Sequence, residues 1–367
     1  MAFVQKDQLT ISKVKQVFLE SHNLKNRYSG FGQFNYHLIK AMATFPQEDF
    51  EIVLNAKNIS ELEDEFGDTF KYRKYSSLTR HKPFRIKKKY NLWHCLNQNI
   101  KIEPFFKIPY LLTVHDVHFV TEGSVELQQK LKKQFSEKLK RSSAIAYISE
   151  FAKQDTHTHF EVPNIPEYVI YNGNTITDIT LPKDYKPSLL PPEPYLFSIG
   201  DFSERKNFIS LVEMLRFLPD YNLVLAGSNS STYAEKLTER VKSYGFENRV
   251  FQTGKIADLD KQYYLQNCEA FVFPSHREGF GIPPIEAMRF GKPVFLSNNT
   301  SLPEIGGEHS FFWDHYEPEY MAKVLKDGME KFKNNKSFYE DWYTVRAQSF
   351  NWKTTAEKYI EIYKSLL

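Results

Sequence analysis

The sequence predicts an α/β protein of two Rossmann-like, doubly wound halves that face a central cleft. Three observations carry this reading. Short apolar runs of strand length alternate with stretches of helical period from residue 14 onward, the pattern of a parallel sheet covered by helices. The alternation stops at residues 181–195, where five prolines in fifteen positions read as an extended linker. It then restarts with the same rhythm, and 367 residues are enough for two such domains. The predicted organisation is a first domain at 1–180, a linker at 181–195, a second domain at 196–350, and a C-terminal helix at 351–367 that crosses back to the first.

Each element follows in order. In the first half, the apolar run Val14–Leu19 predicts a buried strand, Ser29–Gly32 a turn, and Phe34, Leu38, Ile39 and Met42 one face of a helix. Further strands are predicted at Phe50–Leu54, Leu92–Leu96 and Tyr110–Val114, the last running into His115 and Asp116. A long helix spans Ser124–Arg141, Ala144–Ile148 is a strand, Ser149 and Glu150 open a helix through His159, and Val169–Tyr171 is a strand. Beyond the linker, strands are predicted at Tyr195–Ile199, Asn222–Ala226, Val250–Gln252, Ala270–Phe273 and Val294–Leu296. Helices at Asn207–Phe217, Tyr233–Tyr244 and Lys261–Gln266 alternate with them. In open sheets of this kind ligands sit beyond the carboxyl ends of the strands, so the cleft between the halves is the expected site.

Composition narrows the class. Hydrophobic residues are 41% and charged residues 25%, as in water-soluble globular proteins. No apolar run reaches transmembrane length, and Met1–Asp7 lacks the apolar core of a signal peptide. Cys95 and Cys268 are the two cysteines, which implies no disulfide framework, and a reducing cytoplasm is the expected compartment. Net charge is +3, but residues 71–107 hold eleven Lys or Arg against Glu103 alone. Residues 130–141 add Lys130, Lys132, Lys133, Lys138, Lys140 and Arg141 against Glu137. Such a basic first half suits anionic lipid, a phosphorylated acceptor or nucleic acid.

The densest segment is Ser275-His-Arg-Glu-Gly-Phe-Gly-Ile-Pro-Pro-Ile-Glu286. Its glycines let a ligand approach the backbone, and Pro283 and Pro284 suit the first turn of a helix that Gly291 would end. Glu278 then lies on the approach loop and Glu286 about one turn into the helix, beside amides that favour phosphate. Three other strand ends point to the same cleft. Gly30-Phe31-Gly32 lacks the third glycine of a dinucleotide fingerprint, and no full fingerprint follows any strand, which argues against a nicotinamide-linked oxidoreductase. His115-Asp116 ends a strand. Gly200 leads through Arg205 and Lys206 into a helix, and that pair can hold a diphosphate, Arg as a fork and Lys as a point charge. Asp258-Leu-Asp260 falls at a predicted helix start, where an Asp caps amides rather than binding metal. His157 and His159 read as helix surface.

These residues resemble those of a family 4 glycosyltransferase with the two-domain GT-B fold. The resemblance rests on Phe197–Asn207, Gln252-Thr-Gly254, Phe273–Ala287, Ser301-Leu-Pro-Glu304 and Phe350-Asn-Trp352. In the first half it rests on Ser29–Gly32, Thr113–Asp116, Ile148–Phe151 and Tyr171-Asn-Gly173. The pattern is similar to the mannosyltransferase-like branch that builds bacterial surface polysaccharides. The resemblance implies a retaining hexosyltransferase that takes a mannose- or glucose-type sugar from a GDP- or UDP-linked donor to a glycan or lipid-linked acceptor, with no metal and no further cofactor. It implies that Arg205 and Lys206 neutralise the leaving diphosphate, that Glu278 and the amides near Phe280, Gly281 and Ile282 hold donor sugar hydroxyls, and that Glu286 binds the ribose. His115 would lie near the reacting face of the sugar. Gly32, Gly200 and Gly254 would line the donor side, and Gly30, Phe31, Asp116, Ser149 and Glu150 the acceptor side. Phe31, Phe34-Asn35-Tyr36 and Pro284 depart from the family pattern. The basic stretches 71–107 and 130–141 would rest on an anionic inner membrane face, and no nucleic-acid motif is present. A non-catalytic sugar- or nucleotide-binding protein and a sugar-nucleotide epimerase are the competing readings.

Overall fold

A computed structural model describes residues 14–27, 29–46 and 49–367. The heptapeptide Met1–Asp7, read above for a signal core, lies outside them. Among the described residues the first sheet has seven strands: β1 (Lys15–Glu20), β2 (Phe50–Ala56), β3 (Lys71–Lys74), β4 (Leu92–Cys95), β5 (Tyr110–Val114), β6 (Ala144–Tyr147) and β7 (Glu167–Val169). They lie in the order β3-β2-β1-β4-β5-β6-β7, every pair parallel. Helices α1 (Gly30–Met42), α2 (Ile59–Phe66), α3 (Val125–Arg141) and α4 (Glu150–His159) connect them.

The second sheet holds six parallel strands: β8 (Tyr195–Ile199), β9 (Asn222–Ala226), β10 (Val250–Gly254), β11 (Ala270–Phe273), β12 (Val294–Ser297) and β13 (Phe311–Trp313), in the order β10-β9-β8-β11-β12-β13. With it go α5 (Phe208–Met214), α6 (Thr232–Ser243), α7 (Asp258–Asn267), α8 (Ile282–Met288), α9 (Leu302–Gly306), α10 (Pro318–Asn334) and α11 (Lys336–Ser349). Helix α12 (Trp352–Leu366) ends the chain. Parallel strands covered on both faces need apolar side chains throughout, and β5, β6, β11 and β12 are buried along their whole length. Strand order reverses direction between β1 and β4 and again between β8 and β11. Those two switch points open at the carboxyl ends that carry the predicted site loops.

Serines set several helix starts. Ser29, Ser124, Ser149 and Ser231 each accept a hydrogen bond from the backbone N–H three residues on. Ser29 caps α1 directly, so Gly30, Phe31 and Gly32 form the first helical turn rather than a separate turn before it.

The crossing between domains comes earlier than the prolines suggest. Asn174 already donates to the Phe350 and Ile285 carbonyls, and Thr180 to Gln262 of α7. Gly173 lies so close to Trp352 that a Cβ there would collide with its backbone nitrogen, so outward and return crossings run side by side. The proline-rich segment is instead laid onto the second domain: Tyr185 donates to Asp260 at 2.6 Å and Tyr264 donates to the Leu189 carbonyl at 2.7 Å. Helix α12 packs along α1. Behind it, buried His94 hydrogen-bonds Tyr363 at 2.6 Å and Thr113 at 2.8 Å, and Thr113 meets Tyr359 at 3.1 Å. Burial drives the His94 pKa down to about 3.

Candidate functional site

The site is assembled from loops at the carboxyl ends of β4, β5, β8 and β11. After β8 the chain passes Gly200 and a short 3-10 turn, Glu204–Lys206, and Asn207 takes a left-handed φ of 53° before α5 begins. Lys206 folds back over Gly200, where a Cβ would press on the lysine stem at 3.0 Å. Its ammonium lies 4.5 Å from the centre of the Phe273 ring and donates to Glu278 Oε1 at 2.6 Å. Arg205 Nη1 lies 3.1 Å from Glu278 Oε2 and donates to the Arg277 carbonyl at 2.8 Å. Ser275 donates to Glu278 Oε1 at 2.6 Å, and the Glu278 N–H donates to Thr300. Burial alone would push the Glu278 carboxyl up; Lys206 and Arg205 override it and hold the pKa below the usual carboxylate range. The result is one largely enclosed carboxylate, its side chain 11% exposed, clamped by two cations.

Across the cleft, His115 ends β5 and is buried. Its backbone N–H donates to Gln98 Oε1 at 3.1 Å, and its ring Nε2 lies 2.9 Å from the Leu96 carbonyl. A carbonyl only accepts, so Nε2 carries the proton and Nδ1 keeps its lone pair. Burial lowers the pKa to about 4, which keeps the ring neutral at pH 7. Phe31 and Phe34 of α1 hold the ring edge-on at 4.9 and 4.6 Å. Asp116 pairs with His118 and accepts from Gln98 Nε2 at 3.3 Å. Burial pulls the Arg205 pKa down, but Glu278 and then Asp116 outweigh it and raise it, so the two sides of the cleft share a field. They also touch: a Cβ on Gly279 would collide with the His115 carbonyl, and Ser149 donates to the Gly279 carbonyl at 2.7 Å.

Glu286 lies one turn into α8, buried, and accepts from Thr175 and from Lys261 Nζ, the latter at 2.7 Å. Burial pulls the Lys261 pKa down but Glu286 outweighs it and raises it. Gly281 opens α8 at a φ of 112°, and the Phe280 ring turns away into a cluster with Tyr171 and Phe350, leaving backbone toward the cleft at Gly281 and Ile282.

The structure thus brings His115, Asp116, Phe31, Gly200, Arg205, Lys206 and Glu278 together, with Glu286 on the adjoining helix. Other predicted residues serve elsewhere. Gly32 makes room for the Asn26 carbonyl of its own domain, and nothing lies within 4 Å of a Cβ built on Gly30. Ser149 and Glu150 form a domain–domain contact, where the N–H groups of Glu150 and Phe151 donate to Glu304 at 2.8 and 3.1 Å. Gly254 takes a φ of 70° at the end of β10, beside Asn229. Asp260 accepts from the Ala257 N–H, as a cap does. Among the described residues no group of three or more His, Cys, Asp or Glu is placed to hold a metal ion. Lys138 corrects the basic-surface reading of 130–141: it is buried and paired with Glu103 at 2.7 Å, and Arg141 pairs with the same carboxylate at 2.5 Å. Gln98, Thr175, Lys261 and Thr300 were not singled out from sequence, because each is an ordinary polar residue whose partner is remote in the chain, and Ser275 and Glu304 stood only at the ends of motifs, without a role.

Two parallel sheets facing a cleft, with cations and acids at the switch points, define the GT-B architecture. HepE from Anabaena, solved with UDP and glucose, superposes with a TM-score of 0.71 at 18% identity, covering 96% of this chain and all of that one. Sucrose-phosphate synthase from Thermosynechococcus elongatus matches equally, with a TM-score of 0.71 at 18% identity, over 96% of this chain and 99% of that one. Residues 183–344 match the family Glycosyl transferases group 1, so the chain carries a group 1 glycosyltransferase domain. The serotype-specific mannosyltransferase WbdA of Escherichia coli is 28% identical over 62% of this chain, and that stretch is 29% of WbdA. The chain therefore spans under a third of the first relatives it matches. O-antigen chain mannosyltransferase B of Escherichia coli is 23% identical over 96% of this chain and its own full length.

Proposed function

We propose that the chain is a retaining, metal-independent glycosyltransferase that moves a mannose- or glucose-type hexose from a GDP- or UDP-linked donor to a glycan or lipid-linked acceptor in surface polysaccharide or glycoconjugate synthesis. The observation that carries this reading is the Arg205–Lys206 clamp on Glu278, directly across the cleft from neutral His115. A diphosphate offers these cations more charge than one carboxylate does. On donor binding Arg205 and Lys206 would turn to it and stabilise the charge that develops as the glycosidic bond breaks, the term usually largest in such reactions. Glu278 would then accept from sugar hydroxyls. His115 Nδ1 would accept from another, since the ring has no proton to give there. Glu286, held by Lys261 and Thr175, would accept from the vicinal ribose hydroxyls. With Glu278 committed to hydrogen bonds, attack by the acceptor from the leaving-group face, its proton passing to the donor phosphate, accounts for retention without a protein nucleophile. The names of the relatives favour mannose.

The same reading places the protein peripherally at an anionic inner membrane face. Leu78, Phe84, Phe105 and Phe106 are exposed on the first domain, and Lys87 and Lys89 lie over the Phe105 and Phe106 rings at 5.5 and 4.8 Å. No helix among the described residues is long and apolar enough to cross a membrane.

Ligand-observed NMR with GDP-mannose, UDP-glucose and UDP-N-acetylglucosamine tests the donor. Selective saturation of one, with release of its nucleotide on adding acceptor, is expected. No binding by a demonstrably folded protein overturns the proposal, and sugar isomerisation without acceptor would make it an epimerase.

A further inference from the structure

Away from the cleft, the edge of the first sheet forms an open groove of about 340 Å³. Parallel register and side-chain alternation explain its lining. Gln16 pairs with Glu51, Val53 pairs with Lys71, and Arg73 follows two residues on, so all five project from one face. Lys88 and Tyr90 close the far side, where the chain before β4 is tied to β1 by paired hydrogen bonds of 2.9 Å between Gln16 and Asn91.

The polar atoms in this groove are not used up. Tyr90 is 3% exposed and its hydroxyl faces the Arg73 guanidinium, which favours the phenolate and only partly offsets the effect of burial, while the buried Arg73 Nε has no hydrogen-bond partner among the described residues. Buried donors are seldom left unmade in native proteins, and the unmade Arg73 Nε–H, with the Tyr90 hydroxyl beside the same guanidinium, leaves room for an acceptor that both could reach. Three cations, Lys71, Arg73 and Lys88, face one carboxylate, so the acceptor is anionic. Glu51 accepts from Gln16 Nε2 at 2.9 Å and has acceptor capacity left, which suits a hydroxyl beside the anion.

We propose that this groove is a binding site for a phosphorylated polyol, the phosphate held by Arg73, Lys71, Lys88 and the Tyr90 hydroxyl, and the hydroxyls by Glu51 and Gln16. It is separate from the donor site and independent of the glycosyltransferase reading. The same chemistry is offered by free glycerol phosphate and by the headgroup of phosphatidylglycerol.

The test titrates the full chain with glycerol 3-phosphate, inorganic phosphate and glycerol by calorimetry, and with phosphatidylcholine vesicles with and without phosphatidylglycerol by co-sedimentation. Arg73→Met and Tyr90→Phe are compared with the parent after circular dichroism shows each folded. Glycerol 3-phosphate is expected to saturate more tightly than phosphate, glycerol not to bind, Arg73→Met to abolish saturation, and charge-neutral Tyr90→Phe to weaken it about fivefold. Binding confined to phosphatidylglycerol vesicles, weakened by Tyr90→Phe, would assign the site to the lipid headgroup and still support it. Absence of saturable binding in both arms, or binding that neither substitution alters, overturns it.

Discussion

Lys206 Nζ lies 2.6 Å from Glu278 Oε1, and the two residues are 72 positions apart in the chain. Each loop ends a different strand of the second sheet, β8 for the lysine and β11 for the glutamate, and β8 and β11 are neighbours. The pair exists because the strand order reverses there. Lys206→Ala and Arg205→Ala are each expected to lower kcat by about 100- to 1000-fold, with smaller effects on KM, if their charge acts on the leaving group. Glu278→Ala should also lower the melting temperature, because buried Lys206 loses its counter-ion, while Arg205, whose side chain is 39% exposed, is rescued by water; the loss should fall below the roughly 3–5 kcal/mol of a fully buried pair. Steady-state kinetics with the NMR-identified donor, alongside calorimetric melting, checks both. Near-normal turnover in both cation variants would remove them from the chemistry.

A second prediction concerns the contact between domains. Glu304 of the second domain caps α4 of the first through the N–H groups of Glu150 and Phe151. A carboxylate at a helix N-terminus gains from both hydrogen bonds and the helix dipole, about 1–2 kcal/mol in partly buried positions. Glu304→Ala should therefore favour an open cleft. A larger radius of gyration in solution scattering and a raised KM for donor are expected, with the melting of the separate sheets little changed. An unaltered scattering profile would show that other contacts, such as Ser149 with Gly279, hold the domains alone.

Buried histidines give the fold an acid limit. His94 and His115 have pKa values of about 3 and 4 in the folded protein, against 6.5 for the free side chain. Both are depressed because burial penalises the charged ring. At these two groups the unfolded chain therefore binds nearly two more protons than the folded one near pH 5, and the stability they contribute is lost as pH falls from about 6.5 toward 4. The expected slope near pH 5 from these two groups is about 2–3 kcal/mol per pH unit. Urea titrations at pH 7 and pH 5 measure it, and equal midpoints would contradict the assignment.

Much of this was legible from sequence because the central strands, such as β4, β5, β6, β11 and β12, are buried along their length and read as continuous apolar runs. Charge hid β3, whose sequence Lys-Tyr-Arg-Lys belongs to an edge strand that faces solvent. β13 was too short at three residues to show a period. At the site, the clustered glycines and acids of 275–286 marked the second-domain wall, and His115 and Arg205–Lys206 stood at strand ends. What pattern could not supply was pairing across long separations. Glu286 is 111 residues from Thr175, and Ser149 is 130 from Gly279. Lys138 read as surface because its helix is rich in lysine, and only the position of Glu103 shows it turned inward.

The last prediction separates charge from apolar contact on the first domain. Phe84, Phe105 and Phe106 sit beside Ile86, which bridges to Pro104, so the aromatic rings and the lysines of 87–89 share one surface. Lysines near an anionic leaflet contribute about 1 kcal/mol each, and that contribution fades as salt shortens the Debye length. Apolar rings inserted among headgroups do not fade in this way. Lys87→Ala with Lys89→Ala should therefore cut binding to anionic vesicles at low salt and leave a salt-resistant remainder. Phe105→Ser with Phe106→Ser should do the reverse, preserving the low-salt attraction while removing the part that survives high salt. Co-sedimentation across a salt series reads both. Equal losses at every salt concentration would mean the rings only prop the lysines, and no binding by the parent protein would remove the membrane from the proposal.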